Sequence, residues 1–215
     1  GTPLAVAGSG PIRGVWEYGG VVYAFRDNAG GSAGVMHKST SSGWVVVSTP
    51  TLAAGGSYEF VNHNFGGHSA TQNMYGCNGV NKAFQFNGTT LTLLTTGMTT
   101  DTPSHINVHK NHLFLSFSGG SVQHSGTGDP TSWTLVTGAG EISIGSEVTG
   151  LNSMQGNSLA ITGLKQVSVL YGTAASNWDL KSYSPAIGAI SKTHAQMDSD
   201  LYYFNGDDIS SLTAT

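Results

Sequence analysis

The sequence predicts an all-β protein built as a β-propeller-like array, and three observations carry this prediction. A polar or glycine-containing pair followed at once by a short apolar strand recurs about every 45 residues. The clear copies are EYGGVVYAF, HKNHLFLSF, MQGNSLAIT and MDSDLYYFN, and a weaker copy, QNMYGCNG, stands where the period requires one. Apolar residues alternate within these copies, and no segment shows a long helical period. A fixed period of this length without a helical signal is typical of propellers and other stacked β arrays.

Each repeat contains four short strand patterns, joined by Gly, Asn or Asp. The recurring phrase is the second pattern, and GVWEY, YEFVNHN, HINVHK, TGLNSMQ and HAQMD are the first. The third patterns are AGVMHKS, KAFQFNG, SVQHSG and QVSVLYG, and the fourth are GWVVVST, LTLLTTG, SWTLVTG and NWDLKSY. Four short strands per repeat is the layout of a propeller blade. The predicted blades are residues 13–49, 58–97, 105–145 and 149–188, with a partial blade from 190.

Three tryptophans share one place in the repeat, because Trp44, Trp133 and Trp178 each stand at the start of a fourth pattern. We expect them to be mostly buried in equivalent sites between blades, as large aromatic side chains contribute much of a core's apolar area. The alternative is a sugar-stacking role, which requires several tryptophans on one exposed face.

The joints between strands are predicted from their turn residues. Gly19-Gly20 and Asn87-Gly88 fit hairpin turns that need positive φ angles. Residues 173–180 are compatible with one helical turn, and TLAAGG at residues 51–56 is interpreted as a flexible connection.

Composition and charge exclude several classes of function. Only 9% of the residues are charged, against roughly 25% in typical soluble domains. Low charge gives little protection against association, which favours burial in a larger assembly. Eight Lys and Arg residues form no basic stripe, so nucleic-acid binding through phosphates is not expected. No apolar run approaches the roughly 20 residues of a membrane span.

The single Cys77 excludes an intrachain disulfide framework and a CxxC metal site. The chain starts without Met or a charged leader and stops soon after a strand pattern. We therefore expect a single domain, residues 1–215, that is a fragment of a longer protein and carries an incomplete propeller.

Catalytic motifs are missing from the sequence, so we expect no enzyme activity, no catalytic residues, no metal and no cofactor. The eight histidines include no HExxH pattern. The segment SGTGDPTSW differs in spacing from the Asp box of sialidases, and only two arginines are present to bind a carboxylate substrate. The four glutamates form no recognisable facing pair for glycoside hydrolysis, and no GxSxG elbow occurs.

The remaining candidates are contact residues in loops at the blade joints, because loops on a rigid β scaffold concentrate binding residues. The candidates are Arg26, Asp27, Asp129, Trp133 and Glu141. Arg26 offers a guanidinium for a carboxylate partner, although Asp27 beside it is an equally available local partner. Asp129 is expected to bond nearby backbone N–H groups in a turn that Pro130 initiates.

Several phrases resemble β-propeller tail proteins of tailed bacteriophages, of the hub or nozzle class. They are RGVWEYGGVVYAFRDN, YGCNGVNKAFQFNG, HKNHLFLSFSGGSVQHSGTGDPTSW, GAGEISIGSEVTGLNSMQGNSLAI and VSVLYG, which lie within residues 13–205. The resemblance implies a structural virion protein in the tail, assembled in the host cytoplasm. Its expected partners are other tail proteins and copies of itself in a ring, with DNA passing without specific binding. A carbohydrate- or receptor-binding propeller module and a propeller glycosidase or lyase remain the alternatives.

Overall fold

The computed structural model describes residues 4–66 and 68–213. Within these residues the chain forms nineteen β-strands and three 3-10 helices of a single turn. The 3-10 helices are Ser118–Gly120, Leu135–Thr137 and Ala175–Asn177. None of the described helices is long and apolar enough to cross a membrane. The chain divides into two compact units, unit 1 up to Ser104 and unit 2 from His105.

Unit 1 contains two antiparallel sheets of four strands, each in the order of the sequence. Sheet 1 consists of β1 to β4, at Ile12–Tyr18, Val21–Asp27, Gly34–Thr40 and Gly43–Val46. Sheet 2 consists of β5 to β8, at Glu59–His63, Asn73–Cys77, Phe84–Phe86 and Leu91–Leu93.

Unit 2 contains two sheets of four strands and one of three, again antiparallel and sequential. Sheet 3 consists of β9 to β12, at His105–His109, His112–Ser116, Ser121–His124 and Gly140–Ser143. Sheet 4 consists of β13 to β16, at Val148–Ser153, Ser158–Gly163, Val167–Tyr171 and Asp179–Ser184. Sheet 5 consists of β17 to β19, at Ala195–Met197, Asp200–Phe204 and Ile209–Thr213.

The recurring phrase is the second strand of every sheet, as predicted, and it is the most buried one. Strands β6, β10 and β14 are buried along their whole length. When a sheet is covered on both faces, its inner strands need apolar residues in succession. The segments LFLS and LAIT provide them in β10 and β14. The repeat is therefore visible in the sequence because one inner strand of each sheet is buried.

The tight hairpins follow the turn chemistry of their sequences. Gly19 and Gly20 have φ angles of 60° and 77° between β1 and β2, as predicted for this turn. Lys110 and Asn111 form the corresponding turn between β9 and β10, with φ angles of 47° and 61°. At the Asn87-Gly88 turn only Gly88 has a positive φ. The Asn87 side-chain oxygen accepts hydrogen bonds from the backbone N–H groups of Thr89 and Thr90.

Neighbouring sheets within each unit share apolar cores. The core of sheets 1 and 2 is largely aromatic and consists of Tyr23, Phe25, Met36, Leu52, Tyr58, Met74, Phe84, Phe86 and Leu91. The core between sheets 3 and 4 is largely aliphatic and consists of Phe114, Val122, Val148, Leu151, Leu159, Ile161 and Leu170. Sheets 4 and 5 share a third core that includes Met154, Val169, Leu201 and Tyr203.

Hydrogen bonds between first strands of successive sheets repeat the sequence period. Trp16 Nε1 donates to Asn62 Oδ1 at 2.9 Å, across 46 residues. Asn107 Nδ2 donates to the Leu151 carbonyl at 2.7 Å, across 44 residues. In the turns just after the first strands of sheets 4 and 5, Gln155 Nε2 donates to the Asp198 carbonyl at 3.2 Å, across 43 residues. Successive sheets within each unit are therefore joined one repeat apart by side chains in the first strand or just after it.

Two predictions of local structure are wrong. The fourth strand of sheet 3 is not SWTLVTG but Gly140–Ser143, and residues 132–138 form part of a loop with a 3-10 turn. Residues 51–56 are not a loose connection, because Asn81 bonds both backbone groups of Ala53, at 2.8 and 3.0 Å, and the Gly55 N–H donates to Asp27. Residues 51–56 are held by distant residues, whereas residues 132–138 are held by hydrogen bonds within their own loop, and strand propensity alone reveals neither.

Candidate functional site

Arg26 and Asp27, at the end of β2, form hydrogen bonds and an ion pair with other residues of unit 1. The Arg26 guanidinium donates to the Gly10 carbonyl at 2.6 Å and to the Val6 carbonyl at 2.5 Å, which fixes the segment before β1. Asp27 is paired with Arg13 at 2.7 Å and not with Arg26. Two guanidinium nitrogens of Arg26 are thus engaged within the chain.

Asp27 is 4% exposed, and it is held as a carboxylate. Burial alone would raise its pKa, but the Gly55 N–H and the Arg13 guanidinium outweigh burial, so the pKa of Asp27 is lowered from its usual value. The carboxylate joins β1, β2 and the 51–56 connection. Its geometry indicates a stabilising residue of the blade joint.

Asp129 and Trp133 lie in the connection between β11 and β12, here called the 125–139 loop. It has fifteen residues, whereas residues 41–42 and 87–90 make the same connection in sheets 1 and 2. Asp129 Oδ1 accepts hydrogen bonds from the backbone N–H and hydroxyl of Thr131, at 2.9 and 2.6 Å, as expected for a turn. The Gly126 N–H donates to the Ser132 carbonyl at 2.8 Å and closes the first half of the loop.

The three tryptophans are partly buried but do not occupy equivalent sites, which corrects the blade alignment made from the sequence. Trp133 lies in the loop and donates to the Pro130 carbonyl at 3.0 Å. Trp44 lies in β4 and donates to the Leu4 carbonyl at 2.9 Å. Trp178 precedes β16 and packs against Phe114 of sheet 3, with ring centroids 5.3 Å apart.

The tip of the 125–139 loop exposes two apolar side chains. Leu135 is 83% exposed and Val136 is 97% exposed. They lie in the 3-10 turn Leu135–Thr137, which ends at Gly138 with a φ of 81°. The Thr137 hydroxyl donates to the Thr134 carbonyl at 2.7 Å across this turn. The tip is therefore held in shape by backbone and hydroxyl bonds, although its apolar side chains contact little of unit 2.

Sequence reasoning did not select Leu135 and Val136, because an apolar pair after Trp133 was interpreted as part of a strand. The signal that could have found them is Gly138, two residues before a second alternating pattern, GEISI, which starts at Gly140. Glu141 belongs to that pattern, in the edge strand β12 and not in a loop, where its carboxylate accepts a hydrogen bond from the Ser121 hydroxyl at 2.7 Å.

Two buried histidines support the base of the 125–139 loop. His112 and His124 both direct Nδ1 at the Ser125 carbonyl, at 2.6 and 3.2 Å. Because a carbonyl only accepts, both Nδ1 atoms carry a proton. His112 Nε2 is 3.0 Å from the Thr127 hydroxyl, and the two rings are 5.2 Å apart. Trp178 covers both, with centroid distances of 5.0 and 4.7 Å.

Burial keeps these imidazoles neutral. It lowers the pKa of His124 to about 4 and also lowers the pKa of His112. His109 in β9 is 2.9 Å from the Ser153 hydroxyl through Nδ1, and burial lowers its pKa to about 4 as well. Its Nε2 is buried without a hydrogen-bond partner. These histidines form an uncharged aromatic cluster between sheets 3 and 4.

Unit 1 contains a surface groove of about 510 Å³ beside the edge strand β8. Three partly exposed apolar side chains, Val80, Leu93 and Met98, line it. The remaining lining residues are Asn81, Lys82, Thr95, Gly97, Thr99, Asp101 and Thr102. Lys82 Nζ is 3.8 Å from the Asp101 carboxylate and donates to the Thr95 hydroxyl at 2.9 Å, so the groove has no net charge.

Metal-binding geometry is not found in the described part of the chain, where no three His, Cys, Asp or Glu side chains are grouped to hold an ion. Cys77 is a buried thiol in β6.

No protein-family model matches the sequence, and no curated protein matches it. Solved structures do resemble it. Virginiamycin B lyase from Staphylococcus aureus is 15% identical, with a TM-score of 0.66 over 94% of this chain and 66% of that chain. The computationally designed Ika8 protein is 12% identical, with a TM-score of 0.62 over 94% and 58%. PorZ, a surface component of the type-IX secretion system of Porphyromonas gingivalis, is 11% identical, with a TM-score of 0.53 over 98% and 29%.

At these identities the likeness shows the fold alone, which is the all-β, propeller-like array predicted from the sequence. This chain spans about two thirds of the length of the lyase. Since an enzyme, a designed protein and a surface component share the fold, function has to be argued from the sites.

Proposed function

We propose that this chain is a structural component of a phage tail, of the hub or nozzle kind, which acts through protein–protein contacts. The observation that carries the contact role is a surface rich in exposed apolar side chains and poor in charge. The tail assignment is added by the sequence resemblance to tail propellers.

The exposed apolar side chains lie on outer strands and connections, outside the apolar cores described above. Besides the loop tip they include Val46, Tyr183, Ile187, Met197 and Ile209, each more than half exposed. Single exposed apolar residues are ordinary, but many of them on a chain with 9% charged residues favour burial by partners. The buried polar side chains Ser116, Ser125 and Thr162, by contrast, form hydrogen bonds within the chain.

The tail assignment is tested on purified particles of a tailed phage that expresses this chain. Mass spectrometry of the particles is expected to detect the chain. Immunogold labelling with an antibody against the chain is expected at the tail of assembled particles. Absence of the chain from purified particles of a phage that expresses it would overturn the tail assignment.

A second candidate is an enzyme of the lyase kind, and the fold neighbours favour it. A catalytically inactive variant of virginiamycin B lyase has been solved with quinupristin, at 14% identity to this chain. Incubation of this protein with quinupristin, followed by chromatography, tests the candidate directly. Conversion of the compound would favour the enzyme over the contact protein, and no conversion would remove this substrate.

A further inference from the structure

The tip of the 125–139 loop is suited to insert its two exposed apolar side chains into a pocket of another protein. Leu135 and Val136 are almost fully exposed, while the turn that presents them is closed by its own hydrogen bonds. A rigid turn loses little conformational entropy when it binds, so apolar area buried there is used efficiently. An exposed Leu-Val pair at the end of an ordered loop is therefore suited to fill an apolar pocket.

The chemistry of the loop narrows the class of partner. Residues 130–139, PTSWTLVTGA, contain no charged side chain. Binding to an anionic lipid surface or to nucleic acid draws on Lys and Arg, which this tip lacks. The loop thus fits a pocket that offers apolar contacts and carries no net charge.

The groove beside β8 in unit 1 is such a pocket. Val80, Leu93 and Met98 provide apolar contacts, and methionine adapts to the shape of what it meets. Threonine and asparagine side chains form most of the rest, and the Lys82–Asp101 pair leaves no net charge. Its volume of about 510 Å³ is within the range of roughly 300–1,000 Å³ that small-molecule pockets have, which leaves room for one Leu and one Val side chain.

We propose that the Leu135-Val136 tip of one copy inserts into the Val80–Leu93–Met98 groove of a second copy. This inference rests on the proposed contact function and names one of its interfaces. Because the tip and the groove are different surfaces, the contact is heterologous and leaves a free tip and a free groove at the ends of every pair. Such contacts build closed rings or open filaments.

The test uses the whole chain and two complementary variants. The tip variant carries Leu135→Ser and Val136→Ser, and the groove variant carries Val80→Glu, which places a charge among the apolar lining residues. Leu164→Ser, at a residue that is 59% exposed elsewhere in unit 2, is the matched control. Circular dichroism and thermal unfolding establish that each variant is folded, and sedimentation velocity measures association.

Wild type and Leu164→Ser are expected to form oligomers that grow with concentration. Each of the two interface variants should associate at least about tenfold more weakly, since burial of one apolar side chain is typically worth that much in an equilibrium constant. Mixed together, the tip variant supplies an intact groove and the groove variant an intact tip. The mixture should therefore form a dimer of one copy of each and grow no further.

Self-association of the tip variant equal to that of wild type would overturn the inference while leaving a contact function in place. A wild-type chain that stays monomeric at all concentrations would overturn it too. The particle-labelling experiment, which needs no self-association, separates either result from failure of the proposed function.

Discussion

Sheets 1 and 2 are held together by aromatic stacking, whereas sheets 3 and 4 meet through an aliphatic core and buried imidazoles. In unit 1, Phe25 stacks on Tyr58 with ring centroids 4.3 Å apart and lies 5.4 Å from Phe84. In unit 2, the corresponding layer contains His112, His124 and Trp178 around Phe114. The same blade plan is therefore stabilised by groups that respond differently to pH.

Acid is expected to produce the largest difference between the units. His109 and His124 have native pKa values of about 4, below the usual 6.5, so the unfolded chain takes up protons before the folded chain does. Stability contributed by the neutral histidines is complete above about pH 6.5 and falls between about pH 6.5 and 4, by up to about 3 kcal/mol for each. Hydrogen exchange followed by mass spectrometry at about pH 7 and 4.5 measures it.

Peptides of unit 2 should lose protection first on acidification. Unit 1 contains one buried histidine with a lowered pKa, His37, among its described residues. His124→Phe should reduce the acid sensitivity of unit 2. Equal loss of protection in both units at the same pH would contradict the comparison.

Truncation of the aromatic layer in unit 1 is expected to have the next largest effect. Phe25 is fully buried and contacts three other aromatic rings, so Phe25→Ala should lower the free energy of unfolding by about 3–5 kcal/mol. Urea unfolding measures the change. Phe25→Leu keeps most of the volume and should cost less than about 1.5 kcal/mol; a similar cost for both variants would show that packing of the ring is unimportant.

Asp27→Ala should destabilise unit 1 by about 2–4 kcal/mol, because it leaves the Arg13 guanidinium and the Gly55 N–H without their acceptor. Since the pKa of Asp27 is lowered, its contribution is present above its usual pKa, near 3.8, and is lost as pH falls further. Thermal unfolding of wild type and variant across this range checks both the size and the window. Asp27→Asn, which keeps an acceptor for Gly55, should lie between the two.

The smallest expected effect is at the hydrogen bonds between first strands. Asn62→Ala removes a bond from Trp16 and one to the Glu17 carbonyl and should cost about 1–2 kcal/mol in the free energy of unfolding. Asn107→Ala in unit 2 removes one such bond, to the Leu151 carbonyl, and should cost about half as much. Urea unfolding of both variants measures the two costs. A larger cost for Asn107→Ala than for Asn62→Ala would contradict this order and would mean that the contact matters more in unit 2.

Most strands could be predicted because their conformation is determined by residues that are close together in the sequence. The buried second strand repeats an apolar run, and glycine or asparagine at the hairpins fixes the turns on either side, as at Gly19-Gly20. The first strands also carry the side chains that bond the next blade, so the period in the sequence equals the distance in sequence across those bonds.

The candidate site depended on contacts that no short segment encodes. Arg26 and Asp27 were predicted as contact residues, but carbonyl groups of Val6 and Gly10 and the Arg13 side chain engage them within unit 1. Residues 132–138 are a different case, because they have strand-forming side chains but follow a turn that is closed by hydrogen bonds within the loop itself, between Gly126 and Ser132 and between Asp129 and Thr131.

The sequence by itself therefore determined the all-β class and the repeat, since alternation and turn residues act over a few positions. Only the tertiary structure decided which polar side chains are internal, that His112 and His124 share one carbonyl, and that Leu135 and Val136 are exposed. The physical reason is that burial and hydrogen-bond partners are set by residues distant in sequence, and identical residue types are core or surface according to what packs against them.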